Sequence, residues 1–231
     1  MVAVLRKLGV EVDFPAGQTC CGQPAFNYGF RSEAKKVARH FISVFEGDNP
    51  IVAPSGSCAA MVKVFYPDLF RDDPQSYQQA EALSARVYEF SQFLVKVLGV
   101  EDVGAAYSGR VTYHDSCHLL RKLGIREEPR RLIQAVKGVE LVEMEHSEAC
   151  CGFGGAFSVK LPHISEAILR EKIENIQASG AEAVVANDTG CLMHIAGALS
   201  RRRLPVRAIH LAELLNYSSN PLSLPSENLV E

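Results

Sequence analysis

Short apolar runs bounded by turn residues alternate along this chain with longer stretches whose apolar positions recur every three or four residues. The first pattern is that of buried strands, the second that of amphipathic helices packed on them. Val10 to Phe14 alternates apolar and acidic residues before Pro15 and Gly17, which predicts a short strand entering a turn. Ser32 stands where it would cap a helix whose Ala34, Val37, Ala38, Phe41, Ile42 and Phe45 share one face, ended by Gly47 and Pro50. Ile51-Val52-Ala53 predicts a buried strand, Pro54 to Cys58 the turn at its carboxyl end, and Cys58 the start of a short helix. Residues 67–84 begin polar and continue as helix, and Val87 to Phe90 leads into an apolar helix ending at Gly99.

The same rhythm returns after a join over residues 99–109, which carry three glycines. Val111-Thr112-Tyr113 predicts a strand, Glu128 to Val136 a helix, and Val139 to Met144 a strand. Pro162 to Ala178 predicts a long amphipathic helix, and Ala183 to Ala186 a buried strand with a turn after it. A helix, a strand over Val206 to Ile209 and a short helix from Leu211 follow. Residues 217–231, rich in Ser, Pro and Asn, are expected to fray.

The two stretches can be laid on each other. Val10-Glu11-Val12 followed by Cys20-Cys21-Gly22 matches Val139-Glu140-Leu141 followed by Cys150-Cys151-Gly152. Ile51 to Cys58 matches Val184 to Cys191, and the spacing from Cys21 to Cys58 is 37 against 40 from Cys151 to Cys191. Repetition of strand, cysteine turn and helix is hard to produce by chance. It predicts an α/β fold of two tandem related halves, with mostly parallel sheets flanked by helices, over 1–104 and 105–216, with 217–231 as a tail. One piece is missing from the overlay: Cys117 precedes Cys150 by 33 residues, and the same offset ahead of Cys20 falls before the first residue. The expectation is a truncated chain or a first half that has lost an opening strand and its cysteine.

Every cysteine falls in a turn at the carboxyl end of a predicted strand, where ligands bind in open α/β sheets. Right-handed crossovers bring such ends to a common edge, so Cys117, Cys150, Cys151 and Cys191 are expected to meet. Those four are the candidate ligands of a [4Fe–4S] cluster, and Cys20, Cys21 and Cys58 the candidate metal ligands of the first half. Glycines after each Cys-Cys pair let backbone amides approach the sulfurs. Zinc is the alternative metal, although the usual pairs of cysteines two to four residues apart are absent. His114, His118 and His146 lie near the second set and are read as hydrogen-bonding or core histidines. Asp115 and Asp188 could orient neighbouring groups. No residue is assigned a catalytic role.

Composition narrows the picture. Of 231 residues 47% are apolar and 22% charged, the balance of a globular chain. A net charge of −3 gives no basic field for nucleic acid, and Arg201-Arg202-Arg203 reads as a solvated helix end. No apolar run is long enough to span a membrane and the first residues do not form a signal peptide, so the expected location is the cytoplasm. Seven cysteines there point to metal rather than disulfides. No nucleotide-binding glycine fingerprint or phosphate loop is found.

The Cys-Cys-Gly repeats resemble the cysteine-rich domain of heterodisulfide reductases, glycolate oxidase iron–sulfur proteins and anaerobic glycerol-3-phosphate dehydrogenases. The wider wording is closer still to the lactate utilization protein A family. It runs over Gln18-Thr19-Cys20-Cys21-Gly22-Gln23-Pro24-Ala25, Pro54-Ser55-Gly56-Ser57-Cys58, His114-Asp115-Ser116-Cys117-His118, Cys150-Cys151-Gly152-Phe153-Gly154-Gly155 and Asp188-Thr189-Gly190-Cys191. The resemblance implies an iron–sulfur electron-transfer subunit that works with partner proteins, including a further iron–sulfur protein, in oxidising L-lactate to pyruvate. It also implies that the chain binds neither NAD nor flavin. A glycolate- or glycerol-3-phosphate-oxidising complex and a zinc-stabilised scaffold without redox role are the alternatives. Two departures stand out: the family's opening strand and cysteine are missing, which would leave an apolar gap in the first sheet. The heterodisulfide reductase relatives also end each set with Cys-x-x-Cys, where this chain has Ser55 and Asp188 in the first cysteine's place.

Overall fold

A computed structural model describes residues 1–218, so most of the expected tail lies outside the described residues. The first half runs α1 (Val2–Lys7), α2 (Gln23–Asn27), α3 (Arg31–Val44), β1 (Ile51–Ala53), α4 (Gly56–Ala60), α5 (Tyr66–Leu69), α6 (Pro74–Ala85), β2 (Val87–Glu89) and α7 (Phe90–Gln92). Single π-helical turns, Met61–Phe65 and Phe93–Val97, continue α4 and α7. The second half runs β3 (Ala106–Tyr113), α8 (Cys117–Leu123), α9 (Glu127–Gln134), β4 (Lys137–Leu141), α10 (Ala156–Lys160) and α11 (Pro162–Ala178). It closes with β5 (Ala183–Ala186), α12 (Thr189–Arg201), β6 (Arg207–His210) and α13 (Leu211–Leu214). Every described strand pairing is parallel, in one sheet β1-β2 and a second ordered β4-β3-β5-β6. This is the mixed α/β architecture with parallel sheets that the alternating rhythm predicts.

The overlay of halves pairs β1 with β5 and β2 with β6. In the second sheet β5 lies between β3 and β6, whereas β1 has β2 alone as neighbour among the described residues. That difference corrects one expectation. Val10 to Phe14, the counterpart of β4, is not a strand. Its counterpart pairs only with β3, and among the described residues nothing stands in the place of β3 in the first half, so the segment has no ladder there to join. Val10 and Val12 instead pack, half-buried, against the same apolar cluster as Val52 and Tyr88, a cluster in which Val4 and Leu5 of α1 are buried. A second correction concerns Ser32. The turn closed by the Phe30 N–H on the Ala25 carbonyl (3.0 Å) leads into α3 at Arg31, so Phe30 takes the N-cap position and Ser32 lies inside the first turn, its hydroxyl on Glu33 (2.8 Å).

Three apolar clusters organise the interior. One belongs to the first half, around Tyr66, Phe70, Met61 and Phe41. One belongs to the second, between α11, α12 and β5, around Ile173, Ile176, Val184 and Ile195. The third is shared, joining Val4, Phe90 and Leu94 to Val111, Leu132, Val185 and Leu214. The halves also meet backbone to side chain. A Cβ on Gly56 would lie 2.6 Å from Leu119 Cβ, so only glycine lets α4 sit this close to α8.

Matched residues of the repeat bind each other across this joint. Ser55 and Asp188 occupy equivalent positions, and the Ser55 hydroxyl donates to Asp188 Oδ1 at 2.6 Å, beside the Ser57 N–H at 3.0 Å. Glu89 and His210 are likewise equivalent, each capping the short helix after its strand. Glu89 reaches across to accept from Asn187 Nδ2 (2.8 Å), and His210 Nε2 reaches back to the Pro54 carbonyl (2.8 Å). Asn187 and Pro54 are themselves matched positions. None of the described helices is long and apolar enough to cross a membrane.

Candidate metal centre

The Cys-Cys-Gly turns have the same local build in both halves. Gly152 has φ +86° and its N–H donates to Cys150 Sγ at 3.3 Å; Gly22 has φ +82° and its N–H donates to Cys20 Sγ at 3.4 Å. The next amides, of Phe153 and Gln23, face Cys151 and Cys21 in the same way. At Gly152 a Cβ would stand 2.6 Å from the Ser165 carbonyl, so the residue is needed both for its conformation and for the close passage of α11. Amides aimed at sulfur stabilise a thiolate, the form that binds metal.

The second set converges. Cys117 opens α8 after β3, Cys150 and Cys151 follow β4, and Cys191 lies in the first turn of α12 after β5. All four line one cavity of about 540 Å³, which Gln23 and Ser57 close from the first half. Its walls are mainly apolar, with Phe153, Tyr28 and Phe30 among them. Interactions run from Cys117 to Cys150, to Cys151, to Cys191. Through them the Cys150 and Cys191 thiols are drawn well below the usual range, while Cys117 and Cys151 are pushed up as the partners that keep the protons. One ring nitrogen of His114 and the sulfurs of Cys151 and Cys191 lie within 4.8 Å of one another.

The second set is also braced from outside. Arg130, with Asp115, is buried: its guanidinium forks onto the Asp115 carboxylate with two bonds of 2.8 Å and reaches Glu143 at 2.7 Å. Burial opposes charge on Asp115, but Arg130 outweighs it and holds the carboxyl below its ordinary value. Ser147 donates to the same carboxylate (2.9 Å), and the Asp115 N–H bonds the Ser147 carbonyl (3.1 Å). The turn bearing Cys117 is thereby tied to the loop bearing Cys150. Lys172, 1% exposed on α11, donates to the carbonyls of His146 (2.6 Å) and Ser147 (3.2 Å). His146 carries φ +52°, a conformation costly to a side chain, and this buried ammonium holds it. Burial lowers the Lys172 pKa, and the nearby thiols and carboxylates act against that shift.

The first set is sparser. Cys21 is buried, Cys58 half-buried and Cys20 exposed, and none of them lines the large cavity. The Cys21 thiol interacts with Cys58, which draws Cys58 down to about 7 and pushes Cys21 up. Tyr66, fully buried, donates to the Cys21 carbonyl at 2.9 Å. Ser55 caps α4 on the Cys58 N–H, whereas Asp188 makes no such cap and turns its carboxylate to the opposite half.

The histidines divide. His118 lies 3.6 Å from Cys117 Sγ through Nδ1 and lines the cavity. His146 points outward, beside Glu145. His114 is fully buried, as a core histidine should be, but neither ring nitrogen has an oxygen or nitrogen partner, and its interaction is with the Cys191 thiol. Sequence reasoning passed over Arg130 and Lys172. Asp115 beside Cys117 was the available signal for the first, and nothing in the sequence marked the second.

A metal held by thiolates suits this chemistry: four converging sulfurs, amides directed at them, a buried cation behind and a buried imidazole beside them. The model of the cysteine-rich domain family, CCG, matches residues 1–63 and 111–196, one segment in each half. Lactate utilization protein A of Geobacillus thermodenitrificans is 50% identical over 216 residues, 94% of this chain and 90% of that protein. Lactate utilization protein A of Bacillus subtilis is 48% identical over 215 residues, 93% of this chain and 90% of that protein. Lactate utilization protein A 1 of Bacillus mycoides is 47% identical over 216 residues, 94% of this chain and 88% of that protein.

Proposed function

Since the chain belongs to the cysteine-rich CCG domain family and matches lactate utilization A proteins over most of its length, we propose that it is an iron–sulfur electron-transfer subunit of an L-lactate-oxidising system. The observation that carries this reading is the convergence of Cys117, Cys150, Cys151 and Cys191 on one cavity. A [4Fe–4S] cluster held there would take up and pass on electrons one at a time. The protein supplies the rest. Gly152 and Phe153 amides stabilise thiolate charge, Arg130 and Lys172 hold the two ligand turns in register, and largely apolar walls surround the sulfurs.

Lactate releases two electrons and two protons on becoming pyruvate, so the reading includes partner proteins with further carriers, among them another iron–sulfur protein. The free thiols of all seven cysteines fit a cytoplasmic setting. The names of the relatives favour lactate over glycolate or glycerol-3-phosphate. A zinc-held scaffold is the second reading, favoured by the compact His114–Cys151–Cys191 triangle, whose size suits a single ion. The test is lactate-dependent reduction of the reconstituted partners by the wild-type chain and by Cys150→Ser and Cys151→Ser variants. Loss of electron flow in both is expected; unchanged flow in both would overturn the reading.

A further inference from the structure

His114 follows β3 directly, and its N–H extends the β3–β5 ladder by donating to the Val185 carbonyl at 2.9 Å. The backbone is therefore fixed where the side chain reaches the carboxyl edge of the sheet. The ring is 0% exposed, and neither Nδ1 nor Nε2 has an oxygen or nitrogen hydrogen-bond partner; the ring's interaction is with the Cys191 thiol, whose pKa it helps to lower. An imidazole carries at least one N–H, and a buried donor left unmatched is unfavourable. The neighbouring histidines are not in this position: His194 is within 3.2 Å of the Ser165 hydroxyl, and His118 faces Cys117. The sulfurs of Cys151 and Cys191 lie within 4.8 Å of one of its ring nitrogens, and Cys191 interacts with the ring directly. A ligating histidine keeps its second ring nitrogen bonded to a carboxylate or carbonyl. Here the second nitrogen has no such partner, which speaks for a donor to sulfur rather than a ligand.

Resting on the reading that the second set holds a metal, we propose that His114 is a positioning residue that donates its imidazole N–H to the Cys151–Cys191 sulfur pair. Such a bond draws charge from the thiolates and favours the more negative, reduced state of whatever they hold. His114 thus raises the reduction potential of the centre without holding it.

The test uses wild-type, His114→Phe and His114→Gln chains purified without oxygen, with His114→Met in place of Phe if that variant does not fold. Iron and sulfide per chain are measured first, then the midpoint potential by EPR-monitored titration. The same proteins loaded with cobalt(II) report the sulfur-to-metal charge-transfer band. Expected are equal metal contents, a more negative midpoint and a red-shifted band for Phe, and a partial return toward wild type for Gln, which keeps an N–H. A wild-type midpoint and band in the Phe variant would overturn the proposal, leaving His114 as packing. So would loss of metal from folded variants, which would make it a ligand. A wild-type chain without iron and sulfide would overturn the iron–sulfur reading instead, and the cobalt band would still decide His114.

Discussion

The two halves repeat one plan, but among the described residues four cysteines line one cavity in the second, braced by buried charged side chains, and three lie outside that cavity in the first. Each has a Cys-Cys-Gly turn with an amide on the first sulfur and a further cysteine in the helix after the next strand. In the second half that plan is closed by β3 and Cys117, by the buried Arg130–Asp115 fork and by Lys172. In the first half the described residues offer three thiols, one exposed, and a solvent-facing Arg39–Asp73 pair. What separates the two halves is the strand β3, which carries Cys117 to the other three sulfurs and has no counterpart among the described residues of the first half. The first half contributes differently: its Gln23 and Ser57 close the cavity of the second, and its Ser55 locks onto Asp188.

The contrast can be broken at its strongest point by cysteine substitution. Cys150→Ser or Cys151→Ser is expected to abolish metal at the second set, while Cys20→Ser, at an exposed position, leaves that metal in place. Metal content per chain of the three purified variants checks this. The bracing comes next. Arg130→Ala strands the buried Asp115 carboxylate and should cost about 3–5 kcal/mol, whereas Arg39→Ala removes an exposed pair worth about 0–1 kcal/mol. Urea unfolding of both variants measures the difference, and equal costs would mean the two halves are braced alike.

The smallest effect concerns the matched pair Glu89 and His210. Burial pushes the Glu89 carboxyl from its ordinary 4.5 up to about 7, although Ser91 and Asn187 bonds resist. The folded chain then holds a proton that the unfolded chain has lost between those values, so stability falls as pH rises from about 4.5 to about 7 and is level above. The loss is on the order of 3 kcal/mol at most. Glu89→Gln should flatten that slope, read as melting temperature against pH; an unchanged slope would place the titration elsewhere.

Much of this was legible in the sequence, and the limits have physical causes. Local rhythm located β5 and α11 at their observed bounds because both are long or fully buried, so packing follows pattern. It failed at Val10 to Phe14, where the pattern is that of a strand but no partner strand is present among the described residues to pair with it. Ser32 failed because helix starts depend on how the preceding turn delivers the chain. Spacing singled out the cysteines, and Cys58, Cys117 and Cys191 do follow strands directly, whereas no strand precedes Cys20 and Cys21. It could not identify Lys172 or the Ser55–Asp188 contact, which exist only once two distant segments meet. His114 was visible beside Cys117, but its lack of an oxygen or nitrogen partner is a property of the packed interior.

We propose that the second set, and not the first, holds a redox-active iron–sulfur centre. Iron, sulfide and zinc per chain, measured on protein purified without oxygen together with EPR before and after reduction, test it most directly. Expected are about four irons and four sulfides with a reducible signal that survives Cys20→Ser and disappears in Cys151→Ser. Stoichiometric zinc without sulfide, and no signal after reconstitution, would contradict it.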